Sequence, residues 1–442
     1  MTTIVPGRIM VVGAGGREHA LAWKLAAEPG VETVLVAPGS AAIASEPLAE
    51  IVAIPATSID AIVASARERR VDLVVVGPEA PLADGLADAL LDSRIPVFGP
   101  TRAAAAIEWS KAFCHEVAAS AGVRMARSEA CRSRVDVERA IEHLRGADGG
   151  FVVKDDGLAA GKGVTVFGPG QTPEGLVTRW LDEAYGPSSP DRAVIVEERL
   201  HGLEVSVIAI CDGRRAVALP AARDHKRLDD GDRGPNTGGM GAYSPVPDFD
   251  DGAVERTLAD VHQPILQELA ARGSPFHGFL YAGLILTASG PVLLECNARL
   301  GDPEAQVILP RLDGALGPVL LAAATGGLPA GLRARLPTRA EAAVGVVLAG
   351  GRYPSESSVG EPITGIDEAR GLGSLVFHAG TARTSEGWVT NGGRILTVVG
   401  RGPDIAAAHD VTEAAADAIS FPGQRRRHDI GMAAHPAGVG AR

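Results

Sequence analysis

Four short apolar runs in the first hundred residues constrain this chain more than any other feature: RIMVV at 8–12, TVLVA at 33–37, DLVVV at 72–76 and IPVF at 95–98. They favour β-branched residues and are bounded by Gly or Pro. Helix-like segments lie between them at Glu18–Ala27, Ser58–Arg70 and Ala83–Asp92. Strand–helix–strand alternation predicts a parallel sheet covered on both faces. The runs exit into GAGG at 13–16, APG at 37–39, GPE at 77–79 and GP at 99–100. Ligands of such sheets bind outside the carboxyl ends of the strands, so these loops predict a binding edge.

GAGGREHA at 13–20 joins a strand to a helix, where backbone N–H groups and the helix end attract phosphate. Glu18 stands where G-x-G-x-x-G needs its last Gly, and the second strand ends in Val-Ala-Pro with no acid for a ribose. A dinucleotide is therefore disfavoured. A bare phosphate or small sugar phosphate fits better; a tight turn without ligand is the plain alternative.

A helix from an N-cap at Ser110 to a stop at Gly122 follows. Beyond it FVVK (151–154), VTVF (164–167), AVIVEE (193–198), EVSVIAI (204–210) and AVALP (216–220) have hairpin-like spacing, which predicts an antiparallel sheet. GFLYAGLIL (278–286) and PVLLECN (291–297) flank an Ala-Ser-Gly turn and read as a β-hairpin. A third section opens near Leu336 with AVGVVLA (343–349), SLVFHAG (374–380), RILTVVG (394–400) and a closing helix near 404–419. The length of 442 residues fits two to four domains.

Composition excludes several partners. A net charge of −12 and 4% aromatic residues argue against nucleic acid. Cys114, Cys131, Cys211 and Cys296 are far apart and form no Cys-x-x-Cys pair, so neither a zinc site nor a disulfide framework is expected, and a reducing cytoplasm fits. RIMVV with Arg17 and Glu18 close behind it is no signal peptide. The longest uncharged stretch, Gly314 to Leu332, holds five Gly and two Pro and reads as a core helix with its exit loop, not a membrane span.

Four further segments carry chemistry. In VVKDDGLAAGKGV (152–164), Lys154 ends an apolar strand, and Gly157, Gly161 and Gly163 surround Lys162. Small residues let backbone close over phosphates while lysines neutralise them. In VEERLHGLE (196–204), Glu197 or nearby backbone can meet a purine edge and Glu204 the ribose hydroxyls; a solvated acidic turn is the alternative. ARDHKR (222–227) and GPNTGGMGAYSP (234–245) read as one long shaped loop offering Asp224, Lys226 and Asn236. In LLECNARLGDPE (293–304), Glu295, Asn297 and Arg299 recur with period two and share one face of an extended strand. A carboxylate beside an amide oxygen suits a hard cation such as Mg²⁺.

Lys154 with its glycine loop, the Glu-x-Asn-x-Arg strand and the purine-facing connection resemble the ATP-grasp fold. GREHALAWK, VGPEAPL, SKAF, DGLAAGKGV, DHKR, GPNTGGMGAYSP and GDPE, with FHAGT and TNGGR further on, closely resemble the glycinamide ribonucleotide synthetase (phosphoribosylamine–glycine ligase) family from about residue 8 to about 432. The resemblance implies an amino-terminal parallel, Rossmann-like α/β domain at 1–105 and a central ATP-grasp domain at 106–335 with a lid-like part about 125–195. A mixed carboxyl-terminal domain would follow at 336–435. The whole is then a multidomain chain of α/β and α+β class.

The implied substrates are ATP, glycine and 5-phosphoribosylamine, with Mg²⁺ or Mn²⁺ as cofactor, no nucleic acid or membrane partner, and a monomer or weak homodimer. The implied reaction passes through glycyl phosphate. Lys111, Lys154, Gly157, Gly161, Lys162 and Gly163 would hold ATP phosphates, Glu197, Glu198 and Leu200 adenine, and Glu204 ribose. Glu295 and Asn297 would bind the metal, with Arg299 and Lys154 catalytic. Gly15, Gly16, Pro38, Gly39, Pro78, Glu79, Asp224, Lys226, Asn236, Thr237, Gly238, Gly239, Met240, Asp302, Pro303 and Glu304 would contact the other substrates. Asp155, Leu203, Arg223 and Leu300 depart from the family pattern. The competing reading is another ATP-grasp carboxylate–amine ligase; a non-enzymatic nucleotide-binding regulator should lack the Glu295–Asn297 pair.

Overall fold

The first sheet is parallel, in the order Ala49–Ile51, Thr33–Pro38, Arg8–Gly13, Leu73–Val76, Val97–Phe98. The computed structural model describes residues 4–146, 148–157, 163–168, 174–185 and 193–432. The central strands are buried on both faces, as a parallel sheet requires. Strand order reverses between Arg8–Gly13 and Leu73–Val76, so the loops after those two strands share one crevice. Helix Gly16–Ala26 starts in that crevice and buries Ala20, Leu21 and Leu25. The single helix expected over Ala83–Asp92 is two, Glu79–Ala83 and Leu86–Asp92, parted at Gly85 with φ +90°. Only glycine takes that left-handed conformation without strain.

The strands that follow are antiparallel but divide between sheets. One sheet runs Ser128–Cys131, Val194–Glu198, Phe151–Asp155, Val164–Phe167. Another runs Ala216–Ala218, Leu203–Asp212, His277–Thr287, Gly290–Asn297. The hairpin expected at its edge is present, with a bulge: Gly283 pairs with Glu295 and Leu284 with Leu293, leaving Leu294 unopposed.

The carboxyl-terminal sheet runs Arg223–Asp224, Gly241–Ser244, Ala342–Ala349, Arg394–Gly402, Leu375–His378. This corrects the expectation for GPNTGGMGAYSP, which is not one loop. Arg233–Asn236 pairs with Arg227–Asp229, and Gly241–Ser244 is a strand against Ala342–Ala349. Its Gly content serves close approach: a Cβ at Gly241 would collide with the Gly345 carbonyl.

Long-range polar contacts tie these layers together. The uncharged stretch forms helix Gly317–Ala324, as expected, and among the described residues no helix is long and apolar enough to cross a membrane. Its N-terminus is held from the first sheet's side by the buried Glu28 carboxylate, which accepts the N–H groups of Leu316 at 2.6 Å and Gly317 at 2.8 Å. The carboxyl-terminal sheet docks on helix Gly16–Ala26 through two histidines with no exposed surface. The His378 N–H donates to His19 Nδ1 at 2.9 Å, and His19 Nε2 lies 3.0 Å from Glu46.

Burial, with the His19 ring and the charges of Arg370 and Arg383, pushes the His378 pKa down to about 3. In the unfolded chain the ring titrates near its ordinary value of about 6.5. The unfolded state thus binds a proton that the folded state refuses, so this stability is complete above about pH 6.5 and declines as the pH falls toward 3. Urea midpoints should drop between pH 7 and pH 5 in the wild type, and drop less in His378→Gln.

Candidate active site

The bulge at Leu294 organises the site. It turns Leu293, Cys296 and Ala298 into the core while Glu295, Asn297 and Arg299 stay partly exposed. The unopposed Leu294 carbonyl, free of the ladder, accepts Lys154 Nζ at 2.9 Å. Lys154 is also paired with Glu197 at 2.8 Å, and both are almost fully buried. The second Glu197 oxygen lies 2.8 Å from His115 Nε2, and His115 Nδ1 lies 3.0 Å from Ser128 Oγ. Burial pushes the Glu197 carboxyl up, but Lys154 and His115 outweigh it and its pKa is lowered.

Glu295 faces a ring of cations. Lys226 Nζ is 3.5 Å from Glu295 Oε1 and 2.9 Å from Glu204 Oε2. Against the opposing effect of burial, Lys226 above all, then Lys154, Arg299 and Lys111, hold the Glu295 carboxyl at about 2. Burial tends to discharge Lys226, but Glu204, Glu295 and Asp224 raise its pKa well above the usual ammonium range. Asp224 moves the other way for a carboxyl. Burial, with Glu304, Glu204 and Glu295 reinforcing it against Lys226, pushes it well above the usual carboxylate range.

Arg299 follows the strand and is fixed by two acids, Glu108 at 3.0 Å and Glu79 at 3.4 Å. Glu108 also accepts the Ala298 N–H at 2.7 Å, anchoring the chain where the strand ends. Burial works against the Arg299 cation, but Glu108 and Glu79 more than compensate and raise its pKa. Glu79 opens the helix after the fourth strand of the parallel sheet, so the crevice and Arg299 are joined by one ion pair. In that crevice the Glu18 carboxylate accepts the Gly15 N–H at 2.7 Å and lies against Gly13 and Gly77. A pyrophosphate there would have to displace a carboxylate. Arg17 holds Glu18 at 2.6 Å and donates to the Leu300 carbonyl at 3.0 Å.

The structure thus brings Lys154, Glu197, Glu204, Lys226, Glu295, Arg299 and Glu79 into one charged network. Lys111 joins from helix Lys111–Ser120, capped by Ser110 as expected, with its Nζ 3.3 Å from the Gly157 carbonyl. Glu304 is buried and accepts from Ser206 Oγ at 3.0 Å, and Ser206 meets the Tyr281 hydroxyl at 2.8 Å. Asp302 accepts from Gln306 at 2.8 Å, and Pro303 precedes helix Glu304–Ile308.

Thr237, Gly238 and Gly239 lie beside Lys226, whose carbonyl accepts the Thr237 hydroxyl at 2.9 Å. Asn236 ends the short hairpin strand, and Met240 is fully buried against Leu228 and Ala349. Gly15 and Gly16 open helix Gly16–Ala26, Pro38 ends its strand, Gly39 donates to the Gly13 carbonyl at 3.2 Å, and Pro78 caps Glu79–Ala83.

Glu198 is turned away to the surface pair with Arg127 at 2.8 Å, and Leu200 lies just past the same strand. Gly163 is described; Gly161 and Lys162 lie outside the described residues. Of the departures from the family pattern, Arg223 donates to the Glu204 carbonyl, the Tyr243 hydroxyl and Asp248 at 2.7–3.0 Å, and Leu300 is core.

Arg17, Glu108 and His115 are members of this network that motif reading did not assign to the site. Arg17 reaches the Leu300 carbonyl, Glu108 the Ala298 N–H and His115 the Glu197 carboxylate, all far away in sequence, so local spacing carries no signal for these contacts. The donor set suits a divalent cation: an ionised carboxylate and an amide on one face offer hard oxygens. Among the described residues no group of three or more His, Cys, Asp or Glu side chains could hold a metal ion.

Comparison with known proteins gives a consistent family. Residues 7–108, 109–305 and 343–433 match the models of the phosphoribosylglycinamide synthetase N domain, ATP-grasp (A) domain and C domain. The chain is 44% identical over 428 residues to a phosphoribosylamine–glycine ligase of Caulobacter vibrioides, covering 96% of this chain and 98% of the relative. It is 45% identical over 435 residues to the enzyme of that name from Streptomyces coelicolor, covering 98% and 100%. The crystal structure of phosphoribosylamine–glycine ligase from Thermotoga maritima superposes with a TM-score of 0.78 at 32% identity, covering 96% of this chain and all of that one. A biotin carboxylase domain from Hydrogenobacter thermophilus, in complex with MgADP, shares the fold with a TM-score of 0.69 at 14% identity, covering 96% and 92%.

Breaking a buried ion pair from one side leaves a charge stranded, which costs about 3–5 kcal/mol. Glu197→Gln should lose stability of that order in urea unfolding. Glu198→Gln, removing only the exposed pair with Arg127, should lose about 1 kcal/mol or less.

Proposed function

The chain belongs to the phosphoribosylglycinamide synthetase family, and we propose that its ATP-dependent ligation of glycine to phosphoribosylamine, which forms glycinamide ribonucleotide, runs through glycyl phosphate beside Glu295, Asn297 and Arg299. The observation that carries this placement is the convergence of Lys226, Lys154, Arg299 and Lys111 on Glu295. Such a bowl of cations around one ionised carboxylate favours polyphosphate, and the carboxylate retains a hard cation among the phosphates.

A free carboxylate is a poor acyl donor. A glycine oxygen attacks the γ-phosphorus of ATP, the bond to the β-bridging oxygen breaks, and ADP leaves. The amine nitrogen of phosphoribosylamine then attacks the acyl carbon, the carbon–oxygen bond to phosphate breaks, and the amine proton leaves for phosphate or solvent. Phosphoryl transfer asks the protein mainly for positioning and charge neutralisation. Lys111 and Lys154 neutralise the phosphates; the lid expected of the 157–163 segment lies largely outside the described residues. Glu197 through Leu200 line adenine and Glu204 meets the ribose. Arg299, held still by Glu79 and Glu108, stabilises charge on the transferring group without reorganising. Glu295 and Asn297 would hold Mg²⁺ or Mn²⁺, which would supply charge neutralisation in the phosphoryl transfer.

The 13–16, 38–39, 78–79 and 236–240 segments, with Asp224, Lys226 and the 302–304 turn, receive glycine and phosphoribosylamine. The domain division proposed is 1–105, 106–335 and 336–435. Free thiols at all four cysteines support a reducing, cytoplasmic setting.

Rapid ADP release should require glycine and phosphoribosylamine together; equal turnover with unrelated amino acids would sink this reading. Within the site, Arg299→Lys keeps the charge but loses the planar fork. It should lower kcat by about 10²–10³-fold. Glu295→Gln should instead raise the Mg²⁺ requirement and be partly rescued by excess metal, with Asn297→Ala affected less. A Mg²⁺ titration of steady-state rates, with circular dichroism to confirm folding, separates these outcomes.

A further inference from the structure

Arg394 opens strand Arg394–Gly402 of the carboxyl-terminal sheet, yet its guanidinium serves two loops from elsewhere in the chain. Nη1 donates to the Gly238 carbonyl at 2.6 Å and the Asp302 carbonyl at 2.7 Å, and Nη2 donates to the Asp302 carboxylate at 3.0 Å. The other polar group of the Gly238 backbone is taken from the same sheet's side: its N–H donates to the Tyr353 hydroxyl at 2.9 Å. Gly238 is thereby clasped on both sides. A Cβ there would stand 3.3 Å from both Arg394 Cζ and the Tyr353 hydroxyl. The next residue, Gly239, has φ +109°, and a Cβ on it would run into the Pro303 ring. The 237–239 and 302–303 segments are therefore pressed together, with Arg394 as the fork between them.

We propose that Arg394 and Tyr353 are positioning residues for phosphoribosylamine, which set the spacing and orientation of the 237–239 and 302–303 segments from the carboxyl-terminal sheet. This rests on the reading above, in which those segments receive the non-nucleotide substrates. One planar fork reaches three acceptors in two segments, which a point-charge ammonium cannot do. Among the described residues neither is hydrogen-bonded or ion-paired to Lys154, Glu197 or Glu295, whose partners lie elsewhere.

The test is steady-state kinetics of Arg394→Gln, Arg394→Lys and Tyr353→Phe with each substrate varied in turn, beside thermal melts. A displaced binding segment costs up to about 10²-fold, so Arg394→Gln should raise the KM for phosphoribosylamine by about 10–100-fold. The KM for ATP should stay within about twofold and kcat should change less than the phosphoribosylamine KM. Arg394→Lys should recover only part of the loss. Tyr353→Phe removes one oxygen and should give a smaller shift of the same kind; it decides the matter if Arg394→Gln does not fold. Wild-type dependence on phosphoribosylamine with an unchanged KM in folded variants would overturn this proposal alone. So would equal rises in the KM of all substrates, the mark of a purely structural staple. No dependence on phosphoribosylamine in the wild type would overturn the parent reading as well.

Discussion

The site depends on one irregularity in one strand. In a regular ladder between His277–Thr287 and Gly290–Asn297, Leu294 would stand opposite a partner residue. The extra residue instead releases a carbonyl, and the buried ammonium of Lys154 finds it. The same shift lets Leu293 and Cys296, three residues apart, face one core while Glu295 and Asn297 face the opening. A bulge re-aims side chains at a small cost in pairing. Here it converts an apolar hairpin edge into the floor of a charged bowl.

The charges above that floor are balanced in pairs, and the pairing crosses every layer. Lys154 and Glu197 come from adjacent strands of one sheet, Lys226 sits on the link after Arg223–Asp224 whereas Glu295 is on a strand of another sheet, and Arg299 and Glu79 lie in segments matched by different domain models. Buried ions without partners would be too costly to keep, so Lys154, Lys226 and Arg299 each have an acid that holds them in place, while Lys111 meets only the Gly157 carbonyl. That arrangement lets the cations stand ready without collapsing onto one another.

Much of this was legible in sequence. The parallel sheet, the Ser110 cap and the 278–297 hairpin follow from local signals, and the structure has them; of the period-two triplet, Glu295 and Asn297 lie on the strand and Arg299 lies past its end. The hairpin's bulge was not legible, because Val292 to Leu294 are all apolar and no residue type marks the slip. GPNTGGMGAYSP reads as loop because its glycines suggest freedom, whereas Gly241 lets two strands of one sheet approach. Glu108, His115 and Arg394 carry no local signal for a common reason: each reaches a partner far away in sequence, Ala298, Glu197 and Asp302 in turn. A lone charged residue on a helix or strand looks the same whether it faces water or a partner.

The path of residues 223–244 has a mechanical consequence. Arg223–Asp224 and Gly241–Ser244 both belong to the carboxyl-terminal sheet, so the segment between them is pinned at both ends to that sheet. Lys226 is carried on it, whereas Glu204 and Glu295 are carried on another sheet. The ammonium therefore spans a seam that is stitched beside it: Ala222 and Ser206 exchange backbone hydrogen bonds across the gap, and Arg223 holds the Glu204 carbonyl. The electrostatic setting of Glu295 thus rests on how those two sheets are seated.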